Sequence, residues 1–345
     1  MERLMVRYFF ALLVFALVGT WIAVADVHAQ GNKVVATDLT QVDADYYLMG
    51  EYVGYVDGFG EMGLQVVAEG DGQFAARAYR GGLPGNGGDK NHQFTLKGKV
   101  DKEVLRLESE RFVITFEGVN AEVAGQSDED RGNLRKMVRR SRTLGRRPPR
   151  NARVLFDGKD ASSFKNARIK NGLLQIGTEI IPTYRDYQLH LEFLLPYMPY
   201  ARSQGRANSG VYLQSRYEVQ ILDSFGLEGK FNECGALYRY IPPDQNMAFP
   251  PLTWQTYDIT FQAPRYNRAG EKICDARITV LHNGVPVHSR RDLERKTGAG
   301  KPEGPIPLPI KLQDHGNPVQ FRNIWIVDQT RREATPRNWL TRPIW

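Results

Sequence analysis

Asn208-Ser-Gly-Val-Tyr-Leu-Gln-Ser-Arg-Tyr-Glu-Val-Gln-Ile-Leu-Asp223 alternates apolar and polar residues on both sides of a short break. Successive side chains of a strand point to opposite faces, so alternation sorts the segment. Val211 and Leu213 point one way, with Tyr212 and Gln214 opposite. Across a short turn at Ser215 and Arg216, Val219 and Ile221 join the apolar side. Glu218 and Gln220 then share a face with Tyr212 and Gln214. The pattern predicts a hairpin with one buried face and one polar face. A polar face of this kind is either the solvated outside of a sandwich or a groove. In a groove, amides and carboxylates bind hydroxyls and aromatic rings lie under sugars. The hairpin alone weighs evenly between the two.

Outward from this hairpin, Leu173–Gly177, Gln188–Leu195, Thr256–Gln262, Ala276–His282, Pro309–Gln313 and Val319–Val327 read as strands, and Asn283-Gly284 marks a tight hairpin turn. No helical period interrupts them, so residues 151–329 are expected to form a β-sandwich. Upstream, Tyr46–Val56, Gly63–Glu69, Gln73–Tyr79, Gln93–Gly98, Val104–Leu107 and Arg111–Glu117 read as strands of a smaller β-rich domain over 30–125. Its expected core is Val66, Phe74, Leu105, Leu107, Phe112, Ile114 and Phe116. Within it, Arg80-Gly-Gly-Leu-Pro-Gly-Asn-Gly-Gly88 has the composition of a mobile loop and lacks the Lys-Ser/Thr of a phosphate loop. The domain shows no catalytic constellation and reads as accessory. The fold class is thus all-β, a sandwich preceded by a smaller β domain.

The chain has 345 residues, 41% of them hydrophobic and 25% charged, an ordinary globular composition with room for two domains. Its net charge of +7 is localised. Ten Lys or Arg between Arg131 and Arg153, against Asp128, Glu129 and Asp130, account for all of it. Residues 126–150 are therefore expected to be a basic, solvated linker, with one short helix suggested by Leu134, Met137 and Val138. No DNA- or RNA-binding module signature accompanies the charge, and nucleic acid is not an expected partner.

Arg3 and Arg7 precede an uncharged apolar run from Tyr8 to Ala25, and Val27-His28-Ala29 offers a cleavage site before Gln30. Residues 1–29 read as a secretory signal peptide, which places the rest in the periplasm or outside the cell with no integral membrane domain. An uncleaved leader would anchor it. In an oxidising compartment Cys234 and Cys274 are compatible with one bridge, which a domain of this size does not need. Residues 330–345 read as a tail.

Lys311-Leu-Gln-Asp-His-Gly-Asn-Pro-Val-Gln-Phe-Arg-Asn-Ile-Trp-Ile326 reads as two strands joined by a turn at Gly316, Asn317 and Pro318. Gln313, Asp314, His315 and Arg322 bring an amide, a carboxylate, an imidazole and a guanidinium close together in sequence. Such a set can grip a polyhydroxy ligand and move protons on it. His315, flanked by Asp and Gly at a strand end, is a candidate for acid/base work.

Residues 152–328 resemble the 3-keto-disaccharide hydrolase family, also described as 3-keto-glucoside 1,2-lyase/3-keto-2-hydroxy-glucal hydratase domains. The matching stretches are Val154–Gly158, Asn208–Tyr212, Tyr217–Ser224, Gly235–Tyr238, Trp254–Ile259, Val280–Gly284 and Leu312–Ile326. The resemblance implies a concanavalin A-like jelly roll with its site on the concave face and an oligosaccharide or 3-keto-sugar as substrate. A 3-keto group acidifies the hydrogen on C2, so the chemistry needs a base, an acid and a donor for the enolate oxygen. Glu218 and His315 are candidate bases and Asp223 a candidate acid. Asn208, Tyr212, Gln220, Gln313, Asp314, Arg322 and Tyr238 are candidates for holding hydroxyls or the enolate. A divalent metal on Glu218, Asp223 or His315 would serve the enolate equally well.

Two rival functions share the fold. Laminarinase-type glycoside hydrolases place Glu, Asp and Glu at the spacing of Glu218, Gln220 and Asp223, and loss of the middle carboxylate weakens a two-acid mechanism here. A lectin-like module would keep the groove without the catalysis.

Overall fold

The computed structural model describes residues 34–330 apart from 128. The leader and the tail beyond 330 therefore lie outside the described residues. Among those described, no helix is long and apolar enough to cross a membrane.

Eight antiparallel strands form the first part: β1 (Gly50–Val56), β2 (Gly60–Gly70), β3 (Gln73–Arg80), β4 (Asp89–Asp101), β5 (Val104–Glu108), β6 (Phe112–Glu117), β7 (Asn120–Gly125) and β8 (Arg131–Met137). Each pairs with the next and β8 pairs back to β1, closing a barrel. Eight strands leave an interior just wide enough for side chains. Val66, Phe74, Leu105, Leu107, Phe112, Ile114 and Phe116 all lie in its core, as alternation predicts. The supposed linker begins inside this barrel. Leu134 alternates inward from β8, and the segment read as helix is the closing strand. Its apolar spacing fits either period over so few residues, and pairing with β1 and β7 decides.

The second part is a jelly-roll sandwich. Its strands are β9 (Arg153–Phe156), β10 (Phe164–Lys165), β11 (Ile169–Lys170), β12 (Leu173–Gln175), β13 (Thr178–Ile180), β14 (Tyr187–Leu194), β15 (Ser209–Leu213), β16 (Tyr217–Ile221), β17 (Gln255–Gln262), the ribbon β18 (Arg265–Tyr266) and β19 (Lys272–Cys274), β20 (Ala276–His282), β21 (Val285–Leu293), β22 (Lys311–Leu312) and β23 (Gln320–Asp328). The smaller sheet runs β10-β13-β22-β15-β16. The larger runs β11-β12-β23-β14-β17-β20-β21, with β9 added to β23. Val211, Val219, Ile221 and Leu312 of the one meet Leu189, Leu191, Phe193, Tyr257 and Ile259 of the other in a common core. Cys234 and Cys274 are both free, the first buried and the second exposed.

Several contacts bind the two parts together, and three of them bear on the expectations above. Strand β2 is buried on both faces, and Phe225 and Tyr197 of the sandwich enter the barrel's core cluster. The Gly-rich loop expected to be mobile is packed instead. Leu83 is fully buried, and a Cβ on Gly85 would fall 2.6 Å from Met247 Sδ. Its glycines serve close backbone approach as well as freedom. Third, the basic segment after β8 lies on the outer face of the larger sheet as a strap. Arg139 Nε binds Glu51 at 2.7 Å, Gly145 N–H donates to Glu192 at 2.6 Å, and Arg146 pairs with Asp258 at 3.2 Å. Buried carboxylates draw these arginines out of water, while Arg140, Arg142, Arg147 and Arg150 remain exposed.

Candidate active site

The hairpin folds in the register its alternation predicts: Val211 opposite Val219 and Tyr212 opposite Glu218. Gln214 leaves the face. It sits in the turn at φ 49°, and its side chain donates to the Tyr184 carbonyl.

Strand pairing builds a row across the outer face of the smaller sheet. Lys165 pairs with Glu179, Glu179 with Lys311, Lys311 with Tyr212, and Tyr212 with Glu218. Leu237 bridges Val219, so Tyr238 lies across from Glu218 and continues the row, its N–H donating to the Glu218 carbonyl at 3.1 Å. The next row holds Gly210, Gln220 and Gln313, whose N–H donates to the Gly210 carbonyl at 2.9 Å.

Glu218 is the centre of this face. Its backbone N–H donates to the buried Thr297 hydroxyl at 2.8 Å. The Gln220 amide, with its nitrogen toward the Ser209 carbonyl at 2.8 Å, also donates to Glu218 Oε1 at 3.2 Å. Burial pushes the Glu218 carboxyl up to about 7, against the opposing pull of the Tyr212 hydroxyl and the Lys311 ammonium. Gly210 makes the space. A Cβ there would stand 2.4 Å from Glu218 Oε1. Glu218 Oε2 and Gln313 Oε1 are buried, and neither has a hydrogen-bond partner among the described residues. Buried polar atoms are normally paired, so two such acceptors on adjacent rows mark a place for a ligand's hydroxyls or for water.

Asn208 holds its position by donating to the Gln204 carbonyl at 2.7 Å. Loop 202–206 is in turn held by the barrel, Arg202 donating to the Glu69 carbonyl at 2.9 Å. The barrel thus buttresses one flank of the site.

Four expected residues stand apart from Glu218. Asp223 is buried in an ion pair with Arg206 at 2.8 Å and caps the Phe225 N–H at 3.3 Å, so both oxygens are engaged. His315 is exposed on the turn after β22. Continuing the register of β22 against β15 puts it level with Asn208, four residues along from the Glu218 row, or about 13 Å. Asp314, also exposed, pairs with Arg168 at 3.6 Å. Arg322 is on the opposite side of the molecule. Strands β22 and β23 belong to different sheets, so the turn at Gly316–Pro318 carries the chain across the edge of the sandwich and does not close a hairpin. Arg322 binds Glu192 at 2.7 Å and stacks 3.9 Å over Trp254 on the outer face of the larger sheet. Its strand phase shifts at Asn323, where φ is 46° and the pairing with β14 is irregular. That bulge lets Phe321, Ile324 and Ile326 all face the core.

No three His, Cys, Asp or Glu side chains converge to hold a metal ion among the described residues. Glu218, Asp223 and His315 form no such set.

Lys311, Gly210, Gln204 and Thr297 belong to the site although sequence patterns did not single them out. Lys311 carried a usable signal: it stands two residues before Gln313 and therefore on the same face.

Residues 151–327 match the model of the 3-keto-alpha-glucoside-1,2-lyase-like domain. The chain belongs to this family. Membership makes it a carbohydrate-acting enzyme, as the resemblance of its motifs implies. Three solved structures from Parabacteroides distasonis ATCC 8503, each assigned provisionally as a glycosyl hydrolase, are similar to it. One is 30% identical, covers 52% of this chain and 84% of that one, and has a TM-score of 0.46. The second is 20% identical over 52% and 94%, with a TM-score of 0.39. The third is 23% identical over 51% and 98%, with a TM-score of 0.37. No curated protein matches the sequence. Within this 3-keto-alpha-glucoside-1,2-lyase-like domain, the Glu218 row occupies the outer face of the smaller sheet.

Proposed function

We propose that this protein is an exported enzyme that cleaves 3-keto-glycosides by 1,2-elimination, with Glu218 as the base. The observation that carries the proposal is a single buried carboxylate, held near 7 and with one oxygen unpartnered. A base works best when its pKa lies near the working pH. The alternative of two acids flanking a glycosidic bond fits poorly. Position 220 is an amide, Asp223 is occupied by Arg206, and Glu179 lies three strands away from Glu218. At strand spacing that is about 14 Å, beyond the ~5–9.5 Å of paired glycosidase carboxylates.

In the proposed step Glu218 takes the proton from C2. The C2–H electrons form a C1=C2 bond conjugated with the 3-keto group, and the C1–O bond breaks with its electrons leaving on the aglycone oxygen. Lys311, on the same row two strands away, supplies positive charge for the oxygen at C3 as it gains enolate character. Tyr212 lies between them as a platform for the ring, and Gln313, Gln220 and Asn208 bind hydroxyls. In this reading the Tyr212 hydroxyl, whose pKa burial raises, supplies the proton to the leaving oxygen. Water adding to the glucal would complete hydrolysis.

Export rests on the leader pattern in residues 1–29. The test is incubation with a 3-keto-disaccharide, with and without chelator, and detection of the glucal by NMR. Turnover of unoxidised disaccharides with none of the 3-keto compound would overturn the lyase reading. Saccharide binding without turnover would favour a lectin-like module.

A further inference from the structure

The Glu218 row continues through Tyr238 to a rim of cations. Tyr238 shares the outer face with Glu218, because its neighbour Leu237 is buried in the sandwich core. The chain then turns, and two Arg–Tyr stacks flank the turn. The Arg239 guanidinium lies 5.5 Å from the Tyr238 ring centre, and that of Arg295 lies 4.8 Å from the Tyr240 ring centre. Lys296 joins the same rim, its Nζ donating to the Gly298 carbonyl at 2.9 Å while the Gly298 N–H donates to the Tyr238 carbonyl at 2.9 Å. A Cβ on Gly298 would lie 3.2 Å from both Arg239 Cβ and Tyr238 Cδ1.

Among the described residues, Arg239, Arg295 and Lys296 have no acidic side chain within ion-pair distance. By contrast, three arginines of this sandwich and its strap are matched by buried carboxylates: Arg146 by Asp258, Arg206 by Asp223 and Arg322 by Glu192. Arg239 also holds φ 55°, a left-handed backbone that residues with a side chain seldom adopt. Its N–H is fixed there by donation to the Phe231 carbonyl at 2.8 Å. Uncompensated cations of one sign beside a groove raise the local concentration of anions. Guanidinium groups match carboxylate and sulfate oxygens two at a time.

We propose that this rim binds an anionic group, a carboxylate or a sulfate, on the unit attached to the ring that Glu218 attacks. The inference rests on the Glu218 groove proposed above and specifies its substrate class: 3-keto-glycosides whose leaving unit is negatively charged. Tyr238 would pack against that unit while Arg239, with Arg295 and Lys296 behind it, meets the anion.

The test compares kcat/KM of the full chain on three 3-keto-glucosides that differ only in the second unit: glucose, glucuronate or glucose 6-sulfate. The charged substrates should be preferred by about tenfold at low salt, as two exposed charge pairs in the middle of their usual range would give. The preference should shrink at high ionic strength. In the Arg239→Gln/Arg295→Gln variant the charged-to-neutral ratio should fall towards one. Preference for carboxylate, sulfate or both supports the anion site and identifies its source. A wild-type ratio near one for both overturns it. If none of the three is turned over, the lyase reading fails separately. The rim is then tested by calorimetric binding of unoxidised glucuronide and glucoside disaccharides to Glu218→Gln, where equal affinities overturn the anion site.

Discussion

Glu218→Gln should abolish turnover and at the same time make the protein more stable at alkaline pH. Burial raises the Glu218 carboxyl from the ordinary 4.5 to about 7, so the folded state disfavours its charged form. The sign follows from proton binding. Between pH 4.5 and about 7 the folded chain binds more protons at this site than the unfolded chain does, so stability falls as pH rises. The penalty is absent below 4.5, grows through the interval and is complete above about 7. At about 1.4 kcal/mol per pH unit it comes to about 3 kcal/mol. Glutamine keeps the shape of the neutral acid at every pH. Urea and thermal unfolding of both forms at pH 4, 5.5 and 8 would measure the difference. The expected gain at pH 8 is about 3 kcal/mol, or roughly 5–10 °C in Tm for a chain of this size, and close to zero at pH 4. The wild-type kcat/KM should rise with pH through about 7 as the base loses its proton. Equal stability at pH 8, or a difference that persists at pH 4, would refute the reasoning that burial poises this carboxylate.

Gly210→Ala places a Cβ 2.4 Å from Glu218 Oε1 and must displace it; kcat/KM should drop about 100-fold, as ~1 Å misplacements do. Tm should hardly move, and activity within threefold of wild type would remove Gly210 from the site. Asp223→Ala leaves the buried Arg206 without its partner and should cost about 3–5 kcal/mol in chemical denaturation. A variant that is inactive yet fully stable would instead mark Asp223 as a catalytic acid. Glu192 is buried, which alone would raise its pKa, but His190, Asn323, Arg322 and the Gly145 N–H hold it at about 2. Its depressed pKa contributes about 3 kcal/mol that is present above pH 4.5 and lost as pH falls towards 2, so Glu192→Gln should flatten the acid limb of the stability curve. His315→Ala, on an exposed turn, should lower kcat/KM by less than about tenfold; a loss as large as that of Glu218→Gln would return the base to His315.

Period-two alternation made the hairpin at 209–221 legible down to its register, because a one-residue slip would turn Val211 and Val219 out to water. The barrel core was legible for the same reason. Local patterns misled where two structures share one signal. Gly316-Asn317-Pro318 turns a chain whether it closes a hairpin or crosses to another sheet. Only the placement of β22 and β23 in separate sheets separates Gln313 from Arg322. Likewise, ten basic residues between 131 and 153 read as a solvated linker because charge composition cannot reveal buried partners. Glu51 of the barrel, which holds Arg139, and Glu192 and Asp258 of the larger sheet, which hold the segment at 145–146, are distant in sequence.

An all-β chain, the family of its second half and the polar face that carries Tyr212, Glu218 and Gln220 were legible in residue order alone, since each follows from one strand or one motif. Tertiary structure decided which polar groups share that face. It brought Lys311 into the Glu218 row, put Asp223 in the grip of Arg206 and left Tyr238 at the end of that row. Sheet pairing and burial join residues far apart in the chain, and only burial against the whole fold sets the charge that Glu218 can carry.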